Sequence, residues 1–393
     1  MLERIARGEF PQRPHTVLRG PSIEGIPGAL RHEECITRRG FDGPYTIAYH
    51  LNRPHEARPV NAPERIVRPE LAPPQGPSLL RRHYRSTDVA SSGPPLFARR
   101  PLLFNDDVVL SVLRPSESCP TYFVNADADD LYFVQEGGGT LRSLFGDVRF
   151  SAGDYVCVPR GIVHRFELSG GARQLWFLME CADGVAVPAQ YRNGIGQLRM
   201  DAPYSHRDFR LPVFGGPQDE GMRRMLVKRQ GELHGFEHAH SPLDVVGYDG
   251  TLYPWAFAIR DFHPKVGRTH LPPTVHGTFV TRGALVCSFV PRLLDFDPDA
   301  IPCPYPHSSV DVDEVIFYSE GNFTSRRGVG PGSISYHPAG IAHGPHPGAY
   351  EGSIGAKSTD EVAVMLDCAR PLASTPLALG VEDAAYHQSF VTR

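Results

Sequence analysis

The chain has little that would tie it to a membrane, a polyanion or a disulfide scaffold. Its 393 residues contain no apolar run near the roughly 20 that a membrane span requires. Lys and Arg number 40 against 44 Asp and Glu, and no like-charge block stands out, which excludes an extended nucleic-acid surface. Cysteine is sparse and scattered: Cys35, Cys119, Cys157, Cys181, Cys287, Cys303 and Cys368 are seven, an odd number without a C-x2-C pair. That argues against a disulfide framework and a structural zinc site, and points to a reducing cytoplasm. The opening stretch MLERIARGEFPQRPH has basic residues but no apolar core, so no secretory signal is expected. Sustained helical periodicity is also scarce.

Punctuation is plentiful instead, with 39 glycines and 38 prolines. They bound short runs rich in Val, Ile, Phe and Tyr: TYFV, DLYFVQ, VRFSAG, DYVCVP, QLWFLME, ALVCSFV, EVIFYSEG and EVAVMLD. Such runs read as strands, so a mostly β chain built of sandwiches or barrels is predicted. The length suits about two domains. We expect an N-terminal unit over residues 1–255 and a C-terminal unit over 256–393. Residues 54–95 are rich in Pro and Arg with few apolar runs, and read as an arm or an irregular surface segment.

Two stretches share one template. GDYVCVPRGIVH, ending at His164, and GSISYHPAGIAH, ending at His343, both fit G-x5-P-x-G-x2-H. The five-residue gap is strand-like, and Pro-x-Gly forces a tight turn before a histidine that starts the return. Each stretch follows a second matching segment. HSSVDVDEVIFYSEG runs from His307, with Ser309 and Glu314 at its polar places. FVNADADDLYFVQEG has the same spacing, with Phe123, Asn125 and Asp130 there.

These paired spacings resemble the two motifs of the cupin superfamily, a small jelly-roll barrel with a metal in its mouth. Duplicated, they resemble a bicupin. An iron that must also hold substrate and oxygen needs few protein ligands and open positions, which two imidazoles and one carboxylate provide. His307, Glu314 and His343 supply that set in the second repeat. In the first, only Asp130 and His164 remain capable of ligation, so that repeat reads as structural and His164 as a hydrogen-bonded histidine. One ambiguity stands. On a regular strand His307, Ser309, Asp311 and Asp313 share a face, and periodicity favours Asp313; the cupin spacing favours Glu314. HGFEHAHSP, from His234, holds an H-x-H pair but no suitably spaced carboxylate, and reads as a loop or hydrogen-bonding element. His337 and His346 are expected near the same mouth as His343.

A closer resemblance covers nearly the whole chain. HSPLDVVGYDGTLYPWAFAIRDFHPKVGRTHLPPTVHGTFV, PYPHSSVDVDEVIFYSEGNF, SISYHPAGIAHGPH, NGIGQLRMDAPYSHRDFRLP and AAYHQSF are similar to the homogentisate 1,2-dioxygenase family. The resemblance implies Fe(II) on His307, Glu314 and His343, and ring cleavage of homogentisate by O2 to maleylacetoacetate. It implies His270 as the histidine that assists substrate deprotonation, with His276 as its rival. Tyr305, Phe323, His337 and His343 fall at substrate-binding places. It also implies a trimer or a hexamer of paired trimers. Three departures bear on the substrate: a spacing one residue longer between His307 and Glu314, Phe323 in place of a substrate-binding tyrosine, and Pro306 in place of a tyrosine beside the metal histidine.

Overall fold

The computed structural model describes residues 3–21, 28–63, 69–73, 79–323 and 325–391. Each of the eight apolar runs forms a strand, among them Asp129–Glu136, Leu175–Cys181, Asp313–Glu320 and Val362–Cys368. The chain is mostly β, and its two repeats each build a barrel, as in a bicupin. No helix among the described residues is long and apolar enough to cross a membrane.

The first barrel is closed by two large sheets. One runs Phe209–Arg210, Trp255–Ala258, Asp154–Val158, Asp129–Glu136, Leu175–Cys181, Val108–Leu113, Arg100–Phe104, Ala373–Ser374. The facing sheet runs Gly146–Ser151, Gly138–Ser143, His164–Leu168, Tyr122–Asn125, Arg224–Arg229, Glu232–His238, Ala57–Val60. Side chains alternate along each strand, so Tyr132, Val134, Trp176 and Leu178 point into this barrel and fill it with Phe150 and Phe166. A four-stranded sheet (Ile5–Gly8, Val245–Gly250, Tyr45–His50, His32–Thr37) covers one flank, its Tyr248 ring 4.7 Å from Phe145.

The second barrel rests on a single large sheet: Gly277–Thr281, Ala284–Phe289, Val362–Cys368, Asp313–Glu320, Ser333–His337, Arg82–Arg85. A two-stranded ribbon, Arg292–Leu293 with Ser358–Thr359, is the other β element here. Its inward cluster is small: Cys287, Ile316, Tyr318, Phe323, Ala363 and Met365. A cavity of about 150 Å³ lies against that cluster.

The opposite faces of the central strands weld the barrels together. Leu131, Phe133, Phe177 and Met179 from the first meet Val315, Phe317, Val364 and Leu366 from the second. The Phe177 and Phe317 rings stack at 5.0 Å and 12°. Strand exchange adds to this: Arg82–Arg85 edges the second sheet, whereas Ala373–Ser374 returns to pair with Arg100–Phe104. The division expected between residues 255 and 256 falls inside the strand Trp255–Ala258, which pairs with Asp154–Val158 in the first barrel. The described parts of the Pro/Arg-rich segment lie along the body of the same chain, Ala57–Val60 in one sheet and Arg82–Arg85 in another. Residues 64–68 and 74–78 of that segment lie outside the described residues.

Candidate metal centre

Two β-hairpin-like returns carry the candidate ligands. In the first repeat His164 begins the strand His164–Leu168 and pairs with Phe123. In the second, His343 makes a single two-way bridge with His307, each N–H donating to the other carbonyl at 2.8 Å. The turn before each histidine needs glycine: Gly161 and Gly340 have φ of 85° and 87°, where a Cβ is strained. The Gly161 N–H donates to Asn125 and the Gly340 N–H to Ser309, both at 3.0 Å, so the turns superpose in their bonding. Pro306 presses on the return of the second repeat, where a Cβ on Gly344 would sit 2.6 Å from the Pro306 Cα.

His307, Glu314 and His343 converge, with one ligand-capable atom from each lying within 4.8 Å of the others. Glu314 Oε2 stands 3.7 Å from His307 Nε2 and 3.6 Å from His343 Nε2. Donors about 2.1 Å from one ion sit roughly 3–3.5 Å apart, so modest contraction would let all three reach it. His343 Nε2 is buried with no hydrogen-bond partner, as a donor awaiting an ion would be. The other ring nitrogens are already used: His307 Nδ1–H donates to the Tyr305 carbonyl (3.2 Å) and His343 Nδ1–H to Ile341 (3.4 Å). Those bonds aim both Nε2 atoms at Glu314. The donor set therefore fits Fe(II), and it is the only such cluster found among the described residues.

Strand register separates Glu314 from Asp313. The strand starts at Asp313, so no extended run carries the alternation back to His307. Asp313 faces the interior between the barrels, where it accepts bonds from the Tyr336 hydroxyl and the Ala339 and Leu372 N–H groups, all at 2.8 Å. Glu314 shares the opposite face with Ile316 and Tyr318, which line the cavity. Burial alone would raise the Glu314 carboxyl. The three histidines around it, His307, His337 and His343, outweigh burial and hold it well below the usual range.

The remaining expected residues divide. His337 is fully buried behind Glu314, not on the cavity wall; its Nδ1–H donates to Glu314 Oε1 at 2.6 Å. The Tyr386 hydroxyl donates to its Nε2 at 3.3 Å, and burial pushes its pKa down to about 4. It thus contacts Glu314 and lies outside the cavity lining. His346 docks on the C-terminal segment, stacked 4.1 Å from Phe390. Phe323 does line the cavity, edge-on to Tyr318 at 4.7 Å. Tyr305 is 48% exposed, with its ring 4.9 Å from His270 in an edge contact. His270 and His276 both line the cavity. Behind His270 Nδ1 lies Asp295 Oδ2, 3.5 Å away, and His270 Nε2 is buried without a partner. His276 packs on Phe289 at 4.7 Å, and burial with Arg292 nearby pushes its pKa down to about 3. The H-x-H pair lies at the end of Glu232–His238 in the first barrel and joins no metal cluster.

Three residues were not anticipated. The Arg326 side chain, 6% exposed, lines the cavity with its Nη2 4.0 Å from Glu314 Oε1. Tyr318 presents a phenol bonded to the Ser335 hydroxyl at 2.9 Å. Asp367 lies opposite Glu314 on the neighbouring strand, its carboxyl pushed up to about 6 by burial and by the Glu314 charge. A signal for Asp367 existed: the strands LWFLMEC and VAVMLDC correspond, and Glu180 stands in the first where Asp367 stands in the second.

In the first repeat, Arg99 occupies the place before Asp130. Its Nη2 donates to Asp130 Oδ2 at 2.6 Å, and its Nη1 pairs with Glu180 Oε1 at 2.9 Å. Its Cζ lies 5.0 Å from the Phe123 ring centroid. The His164 Nδ1–H donates to Ile162 at 2.9 Å, and its Nε2 is buried without a partner, as that of His343 is.

Comparison with known proteins extends the picture. The family model for the homogentisate 1,2-dioxygenase N-terminal region matches residues 111–259. A Saccharolobus solfataricus protein named "Putative dioxygenase" is 34% identical over 390 residues, covering 98% of both chains. The chain belongs to the homogentisate dioxygenase family. Homogentisate 1,2-dioxygenase of Bradyrhizobium diazoefficiens is 26% identical over 239 residues, 58% of this chain and 52% of that one. The match thus spans about half the length of that relative. A variant of Bacillus subtilis oxalate decarboxylase aligns over 76% of this chain and 80% of its own, at 9% identity and a TM-score of 0.35. Membership of the homogentisate dioxygenase family makes the chain a relative of dioxygenases.

Proposed function

We propose that this protein is an Fe(II)-dependent dioxygenase that opens the ring of homogentisate with O2, giving maleylacetoacetate. What carries the reading is the meeting of His307, Glu314 and His343 beside a cavity sized for one ring, whose wall includes the first two. A cavity of about 150 Å³ is of the size that accepts benzene in an apolar protein interior. Leu271, Phe289, Ile316, Phe323 and Met365 offer apolar surface to the ring. Fe(II) held by the three ligands would supply Lewis acidity to a phenolic oxygen and electrons to O2.

The protein's own groups then have defined tasks. His270 accepts the phenolic proton at Nε2, with Asp295 Oδ2 3.5 Å behind Nδ1. His337 fixes Glu314 so that Oε2 remains turned toward the two histidines. Arg326 places a buried positive charge on the cavity wall, which favours an anionic substrate. Pro304 and Leu294 belong to the segments that cover the cavity away from the sheet.

One observation favours a second substrate within the same chemistry. Phe323 brings no hydroxyl to the wall, and the nearby Tyr318 phenol is bonded to Ser335. A hydroquinone with a different side chain, or a gentisate-like acid, would answer that change. The test is oxygen uptake by anaerobically Fe(II)-loaded protein with homogentisate, then gentisate and other hydroquinones, beside a His307→Ala control. Uptake with homogentisate and a ring-opened diketo acid product supports the first reading. Silence with homogentisate and turnover of another hydroquinone transfers the assignment to that substrate. Silence with all of them, iron bound, overturns the dioxygenase.

A further inference from the structure

The second barrel holds a carboxylate that the three-ligand reading does not use. Asp367 is the register partner of Glu314 on the strand Val362–Cys368, and directly opposed residues in an antiparallel pair point to the same side. Ala363 and Met365 precede it on that face and line the cavity. Its carboxylate makes no hydrogen bond or ion pair among the described residues, though it is only partly exposed. A half-buried carboxylate beside a charged Glu314 is costly without a partner.

The first barrel indicates what the partner is. There Glu180 opposes Asp130 in the same register as Asp367 opposes Glu314. The two carboxylates grip one cation together, the Arg99 guanidinium, at 2.9 and 2.6 Å. A cation in front of the first carboxylate is thus within reach of the second. Aspartate is one methylene shorter than glutamate, about 1.5 Å, so Asp367 would stop short of an ion held by Glu314 and be bridged to it by one coordinated oxygen.

We propose that Asp367 is a positioning residue of the metal centre, accepting a hydrogen bond from a water or substrate hydroxyl bound on the ion's open side. The proposal rests on the metal reading above. In its resting form the site holds a water against Asp367; in the occupied form a substrate hydroxyl takes that water's place. The group acts by orienting the coordinated oxygen, and no bond to Asp367 forms or breaks.

The experiment uses Co2+ as probe on the full-length protein, with Asp367→Asn, Asp367→Leu and Asp367→Glu. Wild type is expected to take up one Co2+ per chain. Asp367→Leu should weaken Co2+ binding about 10-fold or more, within the range typical of lost outer-sphere partners, and change the visible Co2+ absorption. Asp367→Asn retains an acceptor and should fall between, and Asp367→Glu should restore affinity to within about threefold of wild type. In the Fe(II) enzyme, Asp367→Leu should lower kcat more than it raises KM. Unchanged Co2+ affinity and spectrum in Asp367→Leu, with the protein folded by circular dichroism, overturns the role of Asp367 and leaves the metal reading intact. Failure of wild type to bind Co2+ overturns the metal reading and the proposal with it. Should Asp367→Leu not fold, Asp367→Asn decides: wild-type affinity, spectrum and kcat would overturn the role.

Discussion

Phe123 pairs with His164 in the first barrel as His307 pairs with His343 in the second, and the same glycine turn precedes each histidine. The backbones match, but the interiors do not. In the first, Trp176, Tyr132, Phe150 and Phe166 fill the barrel, and Arg99 neutralises Asp130 and Glu180 from within. In the second, a small cluster leaves a cavity, and the buried Arg326 guanidinium stands 4.0 Å from Glu314, farther than Arg99 stands from Asp130. On the proposed reading, one duplicated frame has two solutions for buried carboxylates: an internal guanidinium where rigidity suffices, and an exchangeable ion where chemistry needs open positions.

The comparison breaks most visibly if the two histidines behave alike. His343→Ala should reduce iron affinity by at least about 100-fold, because it removes a ligand rather than an outer partner. His164→Ala should leave the iron content unchanged, since its ring serves the fold. Metal analysis after dialysis reads both. Equal iron loss in the two variants would erase the functional distinction between the barrels.

Arg99→Met tests the other side. It strips the cation from Asp130 and Glu180, both at most 5% exposed, and leaves Lys228 as their remaining strong cationic partner. Breaking such a buried pair costs about 3–5 kcal/mol, measurable by chemical denaturation. Iron at the second barrel should stay at wild-type stoichiometry. A loss below about 1 kcal/mol would mean that the guanidinium does not replace an ion energetically.

Much of this was legible in the sequence, and the limits have physical causes. The strands are readable because most β-rich runs are short, apolar and bounded by turn residues, as ALVCSFV is by Gly283 and Pro291. The repeat was readable because a Pro-x-Gly turn must be written locally. Asp313 and Glu314 were not separable, because periodicity decides a face only once the strand's start is known, and that start is set by pairing with Val362–Cys368. His337 does lie beside His343 and Glu314, but that it turns its Nδ1 to the carboxylate is set by strand register, which the chain order does not show. Arg99 lies 31 residues before Asp130, and no local pattern announces such a pair. Asp367 had a signal only for a reader who matched strands between repeats as well as turns.

Acid titration sharpens the comparison at smaller scale. Burial pushes the His164 pKa down to about 4, against an ordinary value of 6.5. Its folded value lies below its unfolded one, so the unfolded chain binds the extra proton first as pH falls. Stability from this group is fully present above about 6.5 and is lost progressively down to about 4, by roughly 3 kcal/mol at most. His164→Gln should flatten that part of the pH–stability curve in iron-loaded protein. An unchanged slope would mean that the acid sensitivity resides outside the first barrel's histidine.

The smallest expected effect concerns the cavity wall at Phe323. Phe323 is 6% exposed, lies on the cavity and leans edge-on against Tyr318, so a para-hydroxyl added there meets the cavity or its polar rim. Phe323→Tyr should therefore lower KM for a hydroquinone by about five- to tenfold, the worth of one net hydrogen bond of about 1 kcal/mol. If the new bond forms equally in bound substrate and transition state, kcat stays unchanged. A phenol lacking the second ring hydroxyl serves as control and should show no gain. Improvement on homogentisate alone would make Phe323 the residue that weakens binding of that substrate. A rise in KM for every substrate would instead place the added hydroxyl against apolar surface, and would assign Phe323 to the packing of the second barrel.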